Sequence, residues 1–152
     1  MSRPYAAWLR TLPAYIATAT GSAFNILPHG GNPGGAWLAG AIPHRGPGGV
    51  ETPAGMNAAQ MLEDPRSCYL LWGIEPDFDI DNPARAMRVL RKAAKVIAVA
   101  SHASQNLYEV ADVILPLAPL AESEGSLLNL DGTALRGKAA GKAHGGARPG
   151  WK

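Results

Sequence analysis

The sequence predicts an α/β fold in which a parallel sheet carries helices on both faces and a loop-rich tail follows. Three apolar segments of strand length support this prediction, at residues 68–74, 96–100 and 113–115. Segments of helix length separate them, so the predicted order is strand–helix–strand–helix–strand. Continuous apolar strands that alternate with helices are typical of a parallel sheet with right-handed crossovers and strands buried on both faces. We predict an α/β domain over residues 1–131 and a basic, Gly-rich segment over residues 132–152.

The first sixty or so residues are predicted to form short elements between long loops. An amphipathic helix comes first, because apolar side chains recur at helical spacing at Tyr5, Trp8, Leu9, Leu12 and Ile16. Pro13 lies inside this helix and should kink or divide it. Residues 23–27 indicate a short strand, whereas residues 43–55 hold three prolines and four glycines, too many for regular structure. Asn32 and Asn57 are placed to cap short helices.

Capping and turn signals place the remaining elements. Asp81 or Asn82 is predicted to cap a helix that starts with Pro83 and runs to about residue 94. Residues 104–110 suggest another short helix. An apolar run followed by Asp131-Gly132 predicts one arm of a β-hairpin and its turn.

Composition excludes several classes of protein. Glycine (18) and proline (13) together make 31 of 152 residues, well above the usual combined share of about 12%, which argues against a coiled coil. No apolar stretch approaches the ~20 residues that a membrane span needs. The single cysteine, Cys68, excludes a disulfide framework and any cysteine-ligated metal site made by this chain alone. Its place at the start of a strand predicts a small core residue rather than a nucleophile.

The charges are distributed unevenly along the chain. Residues 51–131 carry all twelve acidic residues and six basic ones, whereas residues 132–152 carry five basic residues and no acidic one. A basic tail can bind phosphate backbones through counterion release. With Trp151 as its one aromatic residue, this tail lacks a stacking platform, so we expect no nucleic acid as a partner.

Ligand-binding motifs with strict spacing are absent from the sequence. No GxGxxG follows a strand, and there is no Walker loop, HExxH or GxSxG. The acidic run from Asp77 to Asp81 imitates an EF-hand loop, but Asn82 and Arg88 stand where Gly and an acidic residue are required. The histidines are too scattered to predict a metal site: His29, His44, His102 and His144.

The predicted sheet nevertheless indicates where a ligand would bind. Parallel sheets bind ligands beyond the carboxyl ends of their strands. These ends correspond to residues 73–77, 101–104 and 116–124. We refer to these three segments as the strand-end loops.

Several segments in a fixed order resemble one known family. They are residues 36–46, 69–76, 108–119, 122–132 and 147–152. Together they resemble the C-terminal part of the molybdopterin-oxidoreductase-like region in the large iron–sulfur subunit of bacterial NADH-quinone oxidoreductase, respiratory complex I. The resemblance spans roughly residues 20–152. The stretch Ala-Asp-Val-x-Leu-Pro-x-Ala-Pro-x-x-Glu-x-x-Gly-x-x-x-Asn-x-x-Gly, at residues 111–132, is specific for the superfamily, while Pro-His-Arg-Gly and Ala-Arg-Pro-Gly-Trp-Lys point to the complex I branch.

This resemblance implies a structural, non-catalytic part of a proton-translocating complex that carries electrons from NADH to quinone. Its location would be cytoplasmic, peripheral at the inner membrane, with only indirect membrane contact. Its partners would be other subunits of the complex or the remainder of the large iron–sulfur subunit. The family's N-terminal part holds the cysteines of the iron–sulfur clusters and its polypeptide continues beyond the final Trp-Lys, so we expect a truncated or split form without a cluster.

The resemblance also bears on cofactors. Catalytic superfamily members hold a molybdopterin guanine dinucleotide in such strand-end loops, with an acidic residue after the second strand. Ser101-His102-Ala103 stand there in this sequence, so we do not expect that cofactor. Family position gives weak candidates for cofactor contact at Glu75, Pro76, Asp77, Glu122, Gly125 and Asn129. No catalytic or metal-binding residue is predicted.

Two alternatives remain open at this point. The first is an active oxidoreductase module that binds molybdopterin dinucleotide. The second is a stand-alone nucleotide- or nucleic-acid-binding protein, which the basic tail would serve.

Overall fold

A computed structural model describes residues 6–28 and 30–152, so Tyr5 and His29 lie outside the described residues. The helices are α1 (Ala6–Thr20), α2 (Pro33–Ala39), α3 (Ala58–Glu63), α4 (Pro76–Asp79), α5 (Pro83–Leu90) and α6 (Gln105–Val110). Short 3₁₀ turns occupy Pro47–Gly49 and Leu120–Glu122. The strands are β1 (Cys68–Trp72), β2 (Lys95–Ala100), β3 (Val113–Pro116), β4 (Gly125–Leu128) and β5 (Ala134–Gly137).

The first three strands form a parallel sheet in the order β1-β2-β3. Leu71 lies opposite Ala98, which lies opposite Ile114 on the far strand. The sheet is flanked by helices, so the predicted α/β fold class is confirmed. All three central strands fall where the apolar runs placed them.

One face of this sheet forms the hydrophobic core. Tyr69 and Leu71 of β1 and alternate residues of β2 point to this face. Helices α5 and α6 cover it with four buried apolar side chains, Met87, Leu90, Leu107 and Val110. The Tyr69 hydroxyl donates a hydrogen bond to the Met61 carbonyl (2.8 Å), which ties α3 to β1.

The opposite face of the sheet is exposed along β1 and β3, whereas Val99 of β2 on the same face is only 8% exposed. We call it the open face, and its exposed members are Cys68, Leu70, Trp72, Val113 and Leu115. Its four large side chains are between 43% and 60% exposed. The prediction that the strands bury both faces is therefore wrong for β1 and β3, because α5 and α6 pack on the other side. Cys68 is exposed, so the prediction of a core cysteine is also wrong.

A separate antiparallel hairpin pairs β4 with β5, with Leu127 opposite Leu135. This confirms the predicted hairpin, and the boundary predicted between residues 131 and 132 falls in its turn. The division of the chain into an α/β domain (residues 1–131) and a basic segment (residues 132–152) stays a prediction. Asn32 joins this hairpin to α2, since its Oδ1 accepts a hydrogen bond from the Leu128 N–H (2.8 Å) and its Nδ2 donates to the Ser126 carbonyl (3.3 Å).

Residues 43–55 form a compact loop with one short 3₁₀ turn. The Trp37 ring of α2 packs over Gly49, whose φ of 73° suits glycine. The Arg45 guanidinium lies 5.5 Å from the centre of the same ring and 2.8 Å from Glu51 Oε1. The glycine therefore permits both the turn and the close approach of the indole.

Several local predictions can be compared directly with the structure. Residues 23–27 form no strand, so that prediction is wrong, since the structure gives them no pairing partner. Pro13 does not divide α1. Asn57 caps α3 with a reciprocal capping box, and Asn82 caps α5, as predicted. Helix α5 ends at Leu90 rather than near residue 94, because Ala94 N–H already donates to the Ser67 carbonyl on the way into β2.

Candidate functional site

The three strand-end loops lie at one edge of the parallel sheet, as the sequence predicts. Gly73 N–H donates to the Val99 carbonyl (2.8 Å), and Leu117 N–H donates to the Ala100 carbonyl (3.0 Å). These bonds continue the strand pairing into the first and third loops. The edge is therefore a single surface built from the ends of β1, β2 and β3.

Asp77 connects the first two strand-end loops. Its Oδ1 accepts a hydrogen bond from Ser104 Oγ (3.1 Å), and its Oδ2 accepts one from Asn106 Nδ2 (2.9 Å). The Asn106 bond is the main cause that lowers the pKa of Asp77 below its usual range, with Ser104 contributing in the same direction. These two hydrogen bonds favour the ionised form of the carboxylate and connect the two loops. We call this pair of hydrogen bonds the Asp77 clasp.

Ser104 has a second role in the same arrangement. Its Oγ accepts a hydrogen bond from the Leu107 N–H (3.2 Å) and so caps α6. One hydroxyl therefore fixes the start of α6 and the position of Asp77. Sequence reasoning placed a helix over residues 104–110 but missed this clasp, because the bond joins residues 27 positions apart. The feature of the sequence that could have indicated this contact is the serine at the N-cap position of α6.

Glu75 and Pro76 occupy the first turn beyond β1. Pro76 is among the fully buried side chains and begins α4. Asp79 Oδ2 accepts a hydrogen bond from the Glu75 N–H (2.7 Å), which closes the same turn. Glu75 and Pro76 therefore stabilise the turn that contains Asp77.

The other three candidates belong to the hairpin and its surroundings. Glu122 Oε2 accepts a hydrogen bond from the His144 N–H (3.2 Å), which draws the tail to the third strand-end loop. Gly125 pairs with Gly137 at the open end of the hairpin. Asn129 N–H donates to the Thr133 carbonyl (2.9 Å) within its turn. Each has a local partner, and their role in cofactor contact stays a prediction.

A groove that the sequence did not predict lies between α3 and α5. Its volume is about 620 Å³, and its lining includes Leu62, Glu63, Asp79, Asp81 and Arg85. Arg85 Nη1 lies 3.8 Å from Glu63 Oε1 across it. The groove depends on the approach of two segments about twenty residues apart, which no local pattern reveals.

The strand-end loops present polar side chains. The loop after β2 presents Ser101 and His102, both exposed, and no carboxylate. Within residues 6–28 and 30–152, no three or more His, Cys, Asp or Glu side chains lie together as a metal site would require. The hydroxyl and amide that contact Asp77 are hydrogen-bond donors to it, so the arrangement positions loops.

Fold and edge together define an α/β domain of the kind that binds ligands beyond its strand ends. The family model for molybdopterin oxidoreductases matches residues 11–152. Because the match covers most of the chain, the chain belongs to the molybdopterin oxidoreductase family. A search of curated proteins found no match. None of the described helices has the length and hydropathy that a membrane crossing requires.

Proposed function

We propose that this chain is a structural, non-catalytic part of the large iron–sulfur subunit of NADH-quinone oxidoreductase. Family membership supports the broader class, and the resemblance of residues 43–46 and 147–152 to the complex I branch supports the finer assignment. The observation that carries the proposal is the Asp77 clasp. Both carboxylate oxygens of Asp77 accept hydrogen bonds from Ser104 and Asn106, so the edge is built to hold its own loops.

We infer that molybdopterin guanine dinucleotide does not bind at this edge. The loop after β2 offers Ser101 and His102 where a carboxylate would receive the guanine. Asp77, the carboxylate that reaches this loop, is occupied by the cap residue of α6 and by the second residue of that helix. In the proposed role, electrons pass through clusters held elsewhere in the complex, and this chain contributes packing surface.

The proposed partners are other subunits of the complex or the remainder of the large iron–sulfur subunit. The open face supports this, since parallel sheets are normally covered on both sides. The chain would then lie at the cytoplasmic side of the bacterial inner membrane through its partners. The expectation that no nucleic acid binds stays a prediction.

Isolation of the tagged chain from its own cells tests the proposal. We expect other NADH-quinone oxidoreductase subunits to accompany it, identified by mass spectrometry. Leu70→Asp on the open face should reduce their recovery, whereas Leu120→Asp, at an exposed residue of a 3₁₀ turn, is the matched control. The purified material should hold no molybdenum or tungsten. Stoichiometric metal together with guanine nucleotide released on denaturation would favour the active oxidoreductase module instead.

A further inference from the structure

The basic tail folds back onto the strand-end edge of the sheet. Arg148 lies opposite Leu117, the residue that follows β3, in a parallel bridge. The Ala118 N–H donates a hydrogen bond to the Arg148 carbonyl (2.8 Å), and the Arg148 N–H donates to the Pro116 carbonyl (3.3 Å). The tail therefore continues the sheet beyond the end of β3. We call residues 138–152 the strap.

Two further hydrogen bonds tie the strap to the third strand-end loop. The Ala140 N–H donates to the Ala121 carbonyl (2.8 Å), and the His144 N–H donates to Glu122 Oε2 (3.2 Å). The strap thus contacts this loop at several points between residues 116 and 122. It lies at the edge where parallel sheets bind their ligands.

The end of the strap also reaches the open face. A Cβ added to Gly150 would lie 2.9 Å from the Trp72 ring and 3.3 Å from the Leu117 side chain, so the strap backbone is close to both. Trp72 belongs to β1 and Leu117 follows β3, so the strap spans the sheet between its two outer strands. Val99 of β2 lies opposite Trp72 and is 8% exposed, whereas Trp72 is 53% exposed. The strap therefore covers the end of the open face that adjoins the strand-end loops.

The strap buries little of itself while it covers this surface. None of its residues, 138–152, is buried, and Trp151, its largest apolar side chain, is 60% exposed. Segments with few buried apolar contacts open at a low cost in free energy. The bonds that pair β1, β2 and β3 do not involve the strap, so the strap can lift while the sheet stays intact.

We propose that the strap is a releasable cover that controls access to one end of the open face. When it is closed, partners cannot contact Val99. When it lifts, an apolar surface that includes Trp72 and Val99 becomes available to a partner. In assigning partners to the open face the inference rests on the proposed function, whereas the opening of the strap is measured on the isolated chain. The two can therefore fail separately.

Hydrogen exchange measured by NMR tests the opening. The Leu117 N–H donates to the Ala100 carbonyl within the sheet, whereas the adjacent Ala118 N–H donates to the strap. These neighbouring amides therefore report on the sheet and on the strap separately. After correction for intrinsic rates, Ala118 should exchange at least roughly tenfold faster than Leu117. Equal rates would overturn the proposal, because the strap and the sheet would then open together.

Thiol labelling tests whether the strap controls access to the open face. A Val99→Cys, Cys68→Ser chain has its single thiol beneath the strap, and iodoacetamide is the probe. Labelling should be slow in this chain. Adding Gly150→Ala should speed it at least roughly tenfold, because the new Cβ meets the Trp72 ring and displaces the strap. Fast labelling with Gly150 in place, or no change on its substitution, would overturn the proposal.

Two controls separate release of the strap from general loosening of the chain. Gly146→Ala is the matched control, since its Cβ would lie at an ordinary contact distance of 3.9 Å from Pro116, and it should leave the labelling of position 99 unchanged. A Leu70→Cys, Cys68→Ser chain carries its thiol at an exposed position of the same face and should label at one rate with either glycine variant. All variants should keep the wild-type circular dichroism spectrum.

Isolation of the tagged chain from its own cells connects the strap to its partners. Gly150→Ala should raise the recovery of NADH-quinone oxidoreductase subunits relative to Gly146→Ala. Equal recovery with both variants would overturn the control of partner access. If no such subunit accompanies any variant, the assignment to the complex is wrong, while the exchange and labelling results still decide whether the strap opens.

Discussion

Truncation of Leu107 tests the claim that the core lies between α6 and one face of the sheet. Leu107 is 0% exposed and belongs to the cluster that joins α5, α6, β1 and β2. Leu107→Ala removes three carbon atoms from this cluster and leaves a cavity. Changes of this kind cost about 2–5 kcal/mol. Full burial and contacts from two layers place Leu107 in the middle of that range, at about 3 kcal/mol.

Chemical denaturation followed by circular dichroism measures this change in the free energy of unfolding. The matched control is Leu120→Ala, because Leu120 is 78% exposed and its truncation should change the free energy by less than about 0.5 kcal/mol. Near the melting temperature, a loss of about 3 kcal/mol corresponds to roughly 6–12 °C for a chain of this size. Equal stabilities of the two variants would show that α6 does not pack on the sheet as described.

Three further changes probe other parts of the fold. Gly49→Ala should destabilise the chain by about 1–3 kcal/mol more than Gly48→Ala in thermal melts, because both have positive φ but only a Cβ at 49 meets the tryptophan ring of α2. Asn32→Ala should speed hydrogen exchange at the β4 amide that it accepts from, measured by NMR. Asp112 accepts a hydrogen bond from the Val96 N–H, which lowers the pKa of Asp112 below its usual 3.8. Its stabilisation is present above that value and is lost below about pH 4, so urea titrations should show a smaller acid loss for Asp112→Asn.

The order of strands and helices along the chain could be predicted because its signals are local. Each central strand is a continuous apolar run, and Asn57, Asn82 and Ser104 occupy helix cap positions that their side chains fill. The burial of individual residues was harder to predict, because it depends on which elements pack against each face of a strand. Leu70 and Leu71 are equally apolar in the sequence, yet 60% and 5% exposed in the structure. Periodicity alone does not distinguish a strand covered on both sides from one covered on a single side.

The candidate site, too, could be predicted only in part from the sequence. The rule for parallel sheets correctly placed the strand-end loops at one edge, and Asp77 lies there. Its partners Ser104 and Asn106 belong to another loop and the helix after it, so their contact follows from the tertiary fold. The isolated strand predicted at residues 23–27 failed for a related reason, since a strand requires a pairing partner that no local pattern supplies.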